Sequence, residues 1–353
     1  MRTSRRTLRA LVGGAFVSAS VLAASSAFGQ EQLTDSRQNA DNAAQTYPIN
    51  DNGYYHVYLV YGVGQNVILQ TGEDGSVLVN SGAAQSVAGL LSAIKPIIGQ
   101  SQPIRYVVNT SAEADAAGGN AGAVMAGRGI YYTGPTSLLL DGRLQRDPTI
   151  LGSAGVSLLM AAPPAPAKPL PPADWPTLTF ESNRYYIYFN REPVELYREA
   201  GHDNSDTIVF FRGSDVIAAG NIIDADRFPM INVEHGGSIQ GEIAALDHII
   251  ELSDIRVPFV WHEGGTYIVP AYGRIYQQWD VVQYRDMLLE IEGVIQDMIR
   301  RKLTLQQIEA ARPCLPYETQ YGRDSGLWTT NDFVEAVYRS LVPRKAGQAL
   351  RKQ

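Results

Sequence analysis

Two segments rich in strand signals, each followed by a segment with helical spacing, constrain the fold of this 353-residue chain most strongly. The first segment contains the runs YYHVYLVYG, QNVILQTG and GSVLVNSG, each of which ends at a glycine. The second contains TLTF, YYIYFN, DTIVFF and DVIAAGNII. Apolar residues recur at helical intervals in AQSVAGLLSAIK and from Val281 to Arg301. The pattern predicts an α/β (α+β) architecture in which two β-sheets pack together with helices outside them.

Composition and charge limit the classes of partner. Hydrophobic residues make up 45% of the chain and charged residues 18%, which is typical of a globular protein. The net charge is −7, the pI is about 5.3, and no basic patch recurs outside the termini, so a nucleic-acid partner is excluded. The only cysteine, Cys314, rules out an intramolecular disulfide. A small molecule or another protein is the expected partner.

The first 29 residues have the layout of a secretory signal peptide. Four arginines stand within the first nine residues, the apolar run ALVGGAFVSASVLAA follows, and small residues lead to a plausible cleavage point after Gly29. The apolar run is too short and too rich in glycine and serine to span a membrane, so no membrane span is expected after cleavage. The pair Arg5-Arg6 resembles a twin-arginine export signal, and an ordinary Sec signal is the alternative. We therefore expect a periplasmic or secreted protein.

The remaining chain divides into three regions. Residues 30–50 are polar and are expected to be a flexible mature N-terminus. Residues 51–341 form the expected folded domain, and residues 342–353 form a basic tail. Within the domain, the proline-dense segment at 161–176 is expected to be extended and on the surface, and is a candidate connection between the two β-rich halves.

A polar, glycine-rich loop follows the strand-like run PIRYVV and reads NTSAEADAAGGN. The chain from about Tyr54 to Leu341 carries this loop within a series of pieces in a fixed order: GSVLVNSG, VVNTSAEADAAGGN, EAGHDNSDTIVFF, VIAAGNIID and IVPAYGRI. In that order they resemble the metallo-β-lactamase superfamily. The resemblance implies a four-layer αββα sandwich of two mixed β-sheets with flanking helices. It also implies an active site on loops at one edge of the sheets, where histidines and aspartates hold two zinc ions for hydrolysis.

Most of the metal-ligand positions implied by the resemblance are substituted in this chain. The seven positions are Ser111, Glu113, Asp115, Ala116, His202, Asn221 and Tyr272. Only Asp115 and His202 keep the family's residue type, and an acid that ends an early strand has become Asn80. Ala116 has no donor atom and Asn221 offers only a neutral oxygen, so two zinc ions cannot be held in the family's manner.

Three functional hypotheses remain open at this point. The first is a pseudoenzyme that keeps the fold and binds a small molecule or a protein without a cofactor; the loss of ligands favours it. The second is a divergent hydrolase in which Glu113, Asp115 and His202 hold a single divalent metal ion, harder than zinc because oxygen donors predominate. The third is a metal-free enzyme that uses Tyr272 or Ser111 beside His202.

Each site residue also has a purely structural interpretation. Asp115 at a loop turn is expected to cap backbone N–H groups, and Glu113 to be a solvated loop acid. The glycines of GGN are expected to serve backbone geometry. The other four histidines have no ligand spacing to one another and are expected to be structural: His56, His235, His248 and His262.

Overall fold

The computed structural model describes residues 43–130, 147–163, 167–254 and 265–342. The predicted signal peptide, residues 30–42 of the expected flexible N-terminus, His262 and residues 343–353 of the basic tail lie outside the described residues. Within the described residues, the strands form one sheet of seven and one sheet of five.

The seven-stranded sheet takes up the strands of the first half in chain order. Its first four strands pair antiparallel, and the fourth to seventh pair parallel, so the sheet is mixed. Its strands are β1 (Gln45–Asp51), β2 (His56–Tyr61), β3 (Val67–Gly72), β4 (Gly75–Val79), β5 (Ile104–Val108), β6 (Thr149–Ser153) and β7 (Leu178–Phe180).

The five-stranded sheet is built from the second half, in the order β12-β11-β10-β9-β8. Only β11 and β12 pair parallel, and the other neighbours are antiparallel, so this sheet is also mixed. Its strands are β8 (Arg184–Phe189), β9 (Glu192–Arg198), β10 (Thr207–Phe211), β11 (Val216–Asp224) and β12 (Tyr267–Tyr272).

The helices flank the two sheets. The longest, α6, begins at a capping box in which Gln277 and Asp280 satisfy each other's backbone N–H groups. The α-helices are α1 (Val87–Ile98), α2 (Ala114–Ala117), α3 (Asn120–Ala126), α4 (Ala154–Ala161), α5 (Ile239–Leu252), α6 (Gln278–Arg300), α7 (Leu305–Ala311), α8 (Glu318–Tyr321) and α9 (Thr330–Leu341).

Three apolar cores separate four layers. Between the sheets, Leu59 and Val79 of the first pack in one cluster with Val209 and Phe211 of the second. A second core lies between the first sheet and α1, and a third lies between the second sheet and α5, α6 and α9. Because the inner strands of both sheets are buried on both faces, strands such as β3, β4 and β10 are rich in apolar residues along their whole length. The predicted αββα sandwich of two mixed sheets is confirmed.

Two segments depart from the sequence expectation. Residues 45–50, within the range expected to be flexible, form most of β1, because they pair with β2 along the sheet edge. The proline-dense segment does not join the two sheets, since β7 after it still pairs with β6. Its end is not simply on the surface either: Asp174 is 4% exposed, and its carboxylate accepts the backbone N–H of Ala121 at 2.7 Å.

In the described part of the chain, no helix is both long and apolar enough to cross a membrane.

Candidate functional site

A cavity of about 410 Å³ lies where the loops after β5 and β9 meet the ends of β11 and β12. The substituted positions that the sequence singled out gather here, which follows from the fold because the strand ends meet at one edge of the two sheets. The cavity is lined by Gln65, Glu113, Asp115, His202, Asn221, Asp224, Arg227, Met230, Tyr272, Leu327 and Trp328.

The loop NTSAEADAAGGN is held by its own asparagines and by β4. Asn120 donates its amide to Asn109 Oδ1 at 2.9 Å, and Asn109 donates back at 3.1 Å. Asn80, at a left-handed φ of 64°, accepts the backbone N–H of Thr110 at 3.0 Å. A Cβ at Gly119 would lie 2.4 Å from the carbonyl oxygen of Ser81, so this position requires glycine. The GGN turn thus serves backbone geometry, as the sequence indicated.

A group of acids surrounds His202, all of them buried except Glu113, which is partly exposed. We call these five residues the acidic cluster: Glu113, His202, Asp203, Asp206 and Glu242. The His202 Nδ1 atom lies 3.6 Å from an oxygen of each of Glu113, Asp203 and Asp206. Glu242 of α5 is fully buried, and a Cβ at Gly201 would lie 2.7 Å from its Oε2 atom. The imidazole of His202 therefore lies among carboxyl groups from the loop after β9, the loop after β5 and helix α5.

Several polar atoms of the acidic cluster are buried without a hydrogen-bond partner among the described residues. They are His202 Nδ1, Asp206 Oδ1 and both carboxylate oxygens of Glu242. Two other oxygens of the cluster are anchored: Asp203 Oδ1 accepts the N–H and the hydroxyl of Ser205 at 2.7 and 2.6 Å, and Asp206 Oδ2 accepts the N–H of Asp203 at 3.0 Å. Buried charge without a partner is costly, and such groups are normally paired or bind a metal ion.

Burial and mutual repulsion shift the titration of the acidic cluster. Burial raises the pKa of the Glu113 carboxyl, with the nearby His202 opposing the shift. Burial raises the pKa of Asp206 to about 6 and raises that of Glu242 well above its ordinary value. Burial alone would lower the pKa of His202, but the carboxylates of Glu113, Asp206 and Asp203 outweigh it, and the pKa lies well above the ordinary value.

A second set of side chains fills the other half of the site, which we call the amide–tyrosine network: Gln65, Asp115, Asn221 and Tyr272. Asn221 donates to Glu113 Oε2 at 2.8 Å and accepts from Gln65 Nε2 at 2.9 Å. Asp115 accepts the Tyr272 hydroxyl on one oxygen and Gln65 Nε2 at 3.4 Å on the other. Direct hydrogen bonds between side chains therefore occupy the positions that the family resemblance assigns to a second metal ion.

The residues present do not fit a two-zinc centre. Ala116 is buried and has no donor atom, both oxygens of Asp115 accept hydrogen bonds, and Asn221 turns its NH₂ group toward Glu113.

A single divalent cation does fit the other half. Glu113, His202 and Asp203 each offer a ligand atom, and these atoms lie within 4.8 Å of one another. Ligands about 2.1 Å from a tetrahedral ion lie about 3.4 Å apart, close to the 3.6 Å separations between His202 and the two acids.

The structure groups the candidate metal ligands differently from the set predicted from the sequence. Asp203, which sequence reasoning left out, joins Glu113 and His202, whereas Asp115 is outside that group and belongs to the amide–tyrosine network. The only sequence signal for Asp203 is its position next to His202 in GHDNSD. Ser111 is fully buried and does not line the cavity.

Three other histidines are paired outside the acidic cluster. His56 contacts Asp51 at 2.6 Å, His248 contacts Glu199 at 2.6 Å, and His235 contacts Asn232 at 3.1 Å. Each of these contacts is local hydrogen bonding, which agrees with the structural role expected for lone histidines.

An αββα sandwich with a polar site on the loops at one edge of its two sheets is the metallo-β-lactamase fold. No family model matches the sequence, and no curated protein matches it. Among solved structures, the chain is similar to the stereoselective inverting sec-alkylsulfatase Pisa1 from Pseudomonas sp. The TM-score is 0.58 at 14% identity, over 86% of this chain and 51% of that one.

A double mutant of the same sulfatase gives a TM-score of 0.62 at 14% identity, over 88% of this chain and 52% of that one. A metallo-beta-lactamase from Pontibacter korlensis gives 0.46 at 16% identity, over 69% of this chain and 99% of that one. The chain thus spans about half the length of the sulfatase structures. At these identities the likeness shows the fold alone, and the chain has the metallo-β-lactamase fold.

Proposed function

We propose that this protein binds one divalent cation through Glu113, His202 and Asp203, in place of the two-metal centre of hydrolases with this fold. The observation that carries the proposal is the convergence of these three ligand atoms within 4.8 Å, with Glu113 and His202 at the wall of one cavity and Asp203 buried beside His202. The donor set contains one nitrogen and two carboxylates. It therefore suits a cation that prefers oxygen ligands, such as Mn²⁺, better than a cation that prefers imidazole or thiolate ligands.

The charge of the acidic cluster supports the same proposal. Three carboxyl groups lie 3.6 Å from the His202 imidazole and Glu242 is buried near them, so the cluster contains more acid groups than one imidazolium can pair. Unpaired buried charges cost several kcal/mol each, and such groups are normally paired or bind a metal ion. A divalent cation offsets two of these charges and provides partners for the inward-facing oxygens.

The rest of the cavity is suited to a small organic molecule. Met230, Leu327 and Trp328 contribute apolar surface to its lining. The indole Nε1–H of Trp328 is buried and has no hydrogen-bond acceptor among the described residues. We therefore propose that the ligand has an apolar body and a hydrogen-bond acceptor, and that the protein is a non-catalytic binding protein of the pseudoenzyme type.

The second candidate function is hydrolysis at the single cation. A bound divalent cation supplies Lewis-acid polarisation of a substrate oxygen. The observation that favours this candidate is the position of Asp115 and Tyr272, whose hydrogen-bonded carboxylate and phenol line the same cavity as the cation ligands. One structural neighbour is named as a sec-alkylsulfatase, and this candidate carries cleavage of an ester over to the chain as a proposal.

One experiment separates the two candidates. The mature protein is purified without chelator or metal-binding tag, its metal content is measured by elemental mass spectrometry, and sulfate, phosphate and carboxylate esters of p-nitrophenol are tested as substrates. One cation per chain without ester turnover supports the binding protein, and turnover abolished by His202→Ala supports the hydrolase. Trp328 fluorescence quenching by cavity ligands, lost in Trp328→Phe, tests the ligand site directly.

We also propose that the protein is exported, on the basis of the arginine-rich start, the apolar run and the small residues before Gln30. N-terminal sequencing of protein from the native host's periplasm or medium is expected to begin after Gly29. Recovery of an intact N-terminus from the cytoplasm would contradict export. Replacing Arg5 and Arg6 by lysine distinguishes the routes, because only twin-arginine export depends on the arginine pair.

A further inference from the structure

We propose that strand β8 is the contact surface for a second copy of this chain, which pairs with it antiparallel about a two-fold axis at Tyr186. The five-stranded sheets of the two copies then form one continuous sheet across the axis. The interface is independent of the cation site, because β9 and β10 separate β8 from β11 and β12, whose ends reach the cavity.

Strand β8 has one free side. The backbone N–H of Arg198 in β9 donates to Asn183 O at 3.0 Å, and antiparallel pairs exchange hydrogen bonds at every second residue. The odd-numbered residues of β8 therefore bond to β9, and the N–H and C=O groups of Tyr186 and Tyr188 point away from it. Within residues 43–130, 147–163, 167–254 and 265–342, no strand or loop pairs with these outward groups.

The other three sheet edges in the described part of the chain carry features that oppose pairing with a further strand. β1 contains Pro48 and a register shift directly after it, and β7 has only three residues. β12 contains Pro270, and on its outer side Ile268 and Tyr276 exchange backbone hydrogen bonds at 2.9 and 2.7 Å. β8 has none of these features, since its six residues include no proline and pair with β9 in unbroken register.

The exposed face of β8 is aromatic and locally neutral. Tyr186 is 65% exposed and Tyr188 is 69% exposed. The only charged residue of the strand, Arg184, pairs with Glu195 of β9 at 2.5 Å. The unpaired charges that usually keep an edge strand solvated are thus missing here, and tyrosine is enriched where one protein binds another.

The sequence of β8 is complementary to itself, which favours a second copy over a foreign strand. With the axis at Tyr186, this residue lies opposite its own copy, and Arg184 lies opposite Tyr188 of the partner subunit. A guanidinium beside a phenol ring is a favourable cross-strand pair, and the symmetry provides it twice. On the inner face, Tyr185 lies opposite Ile187 of the partner subunit, which extends the core between the sheets.

The hydrogen bonds select the same register. With the axis at Tyr186, every outward N–H and C=O group from Arg184 to Tyr188 has a partner in the second copy. Moving the axis by one residue, to Ile187, places Arg184 opposite Asn190 of the partner subunit. The N–H of Asn190 already donates to Asp74 Oδ2 at 2.8 Å, and its φ of 48° is not that of a strand, so this register loses hydrogen bonds.

Sedimentation equilibrium of the purified protein over a range of concentrations measures the association. We expect a reversible dimer for the wild type and for Tyr186→Phe, which keeps the ring. Tyr186→Pro removes the N–H at the axis but no hydrogen bond to β9, because proline is tolerated where an edge N–H faces solvent. We expect Tyr186→Pro to weaken the dimer about 10- to 100-fold, since two hydrogen bonds across the axis are lost.

Tyr186→Lys is the second variant, because it places two like charges opposite each other at the axis without restricting the backbone. The matched control is Trp279→Lys, which removes a 68% exposed aromatic side chain on α6 and is expected to dimerise like the wild type. A wild-type protein that is monomeric at every concentration would overturn the proposal. A dimer of unchanged affinity in folded Tyr186→Pro or Tyr186→Lys would overturn it as well.

Disulfide formation tests the register, because the only natural cysteine, Cys314, is fully buried. Directly opposed residues of a hydrogen-bonded antiparallel pair have Cα atoms about 5.5 Å apart, which a disulfide spans. We expect Tyr186→Cys to form a covalent dimer under mild oxidation. Tyr188→Cys is the control, because its two copies are about 13 Å apart along the strand and are expected not to crosslink. Equal or faster crosslinking of Tyr188→Cys would overturn the proposed pairing.

Discussion

The Asn221 amide donates to Glu113 Oε2 at 2.8 Å and so joins the two halves of the site. Where the family resemblance places a carboxylate that bridges two metal ions, this chain has a neutral hydrogen-bond donor directed at a carboxylate. The contact fixes one oxygen of Glu113 and leaves the other, Oε1, beside His202. The amide thus stabilises the Glu113 carboxylate by a direct hydrogen bond.

Changing Asn221 to Asp replaces the attractive contact with Glu113 by a repulsive one. Two carboxylates would then face each other in a half-buried position, so we expect chelator-treated Asn221→Asp to lose about 1–3 kcal/mol of unfolding free energy near pH 8. Urea denaturation checks this, with Asn221→Gln as the control that keeps the amide. Equal stability of the aspartate variant and wild type would show that the Asn221–Glu113 contact contributes nothing.

Asp115 is expected to act in packing the site and not in holding the cation. Its two oxygens accept hydrogen bonds from Tyr272 and Gln65, so Tyr272→Phe removes one donor from a partly buried carboxylate. We expect Tyr272→Phe to cost about 1–3 kcal/mol of stability and both Tyr272→Phe and Asp115→Asn to leave cation stoichiometry unchanged. Loss of the bound metal in Asp115→Asn, measured by elemental analysis, would restore Asp115 to the ligand set.

Glu242 is expected to destabilise the cation-free protein. Its folded-state pKa lies well above the unfolded value because the carboxyl is buried among other acids. Its favourable contribution is therefore present at low pH and is lost as the pH rises toward that raised pKa. In chelator-treated protein we expect Glu242→Gln to be about 1–3 kcal/mol more stable than wild type at pH 8, with a smaller difference at pH 5. A glutamine variant that is less stable at both pH values would contradict this.

His248 provides a pH-dependent contact away from the cavity. Its Nδ1 lies 2.6 Å from Glu199 Oε1, and this hydrogen bond raises the pKa of His248 above 6.5 in spite of partial burial. The bond stabilises the fold fully below pH 6.5, and the stabilisation is lost as the pH rises through the raised value.

We therefore expect His248→Gln to cost about 1–2 kcal/mol at pH 5.5 and much less at pH 9. Urea denaturation at the two pH values measures the difference, and Glu199→Gln is the matched partner variant. A cost that does not depend on pH would mean that packing of the ring against Tyr197 dominates.

The sequence was sufficient to predict the layers of the fold but not the limits of every element. The long apolar stripe of α6 has the helical period, and short apolar runs rich in β-branched and aromatic residues, such as TIVFF, favour buried strands. The edge strand β1 was missed because QTYPIND is polar and exposed along most of its length, so it lacks the apolar alternation of a half-buried strand. The prolines at 161–176 suggested a junction between the halves, whereas pairing of β7 with β6 depends on contacts distant in sequence.

Part of the candidate site was also predictable from the sequence. Spacing and resemblance identified Glu113 and His202, which come from separate loops that the fold brings together. The choice between Asp115 and Asp203 as their partner was not predictable, because it depends on which carboxylate has its oxygens occupied by donors. Those donors, Tyr272 and Gln65, lie 157 and 50 residues from Asp115 in the chain.

The most direct test of the account is the metal content of the purified mature protein after incubation with Mn²⁺ and gel filtration, compared with Asp203→Asn. The account predicts one cation per wild-type chain and a loss of the bound cation in Asp203→Asn, since Asp203 supplies one of three ligands. A stoichiometry of two would contradict the closure of the second site by the amide–tyrosine network. A folded wild-type protein that binds none would contradict the single-cation site itself.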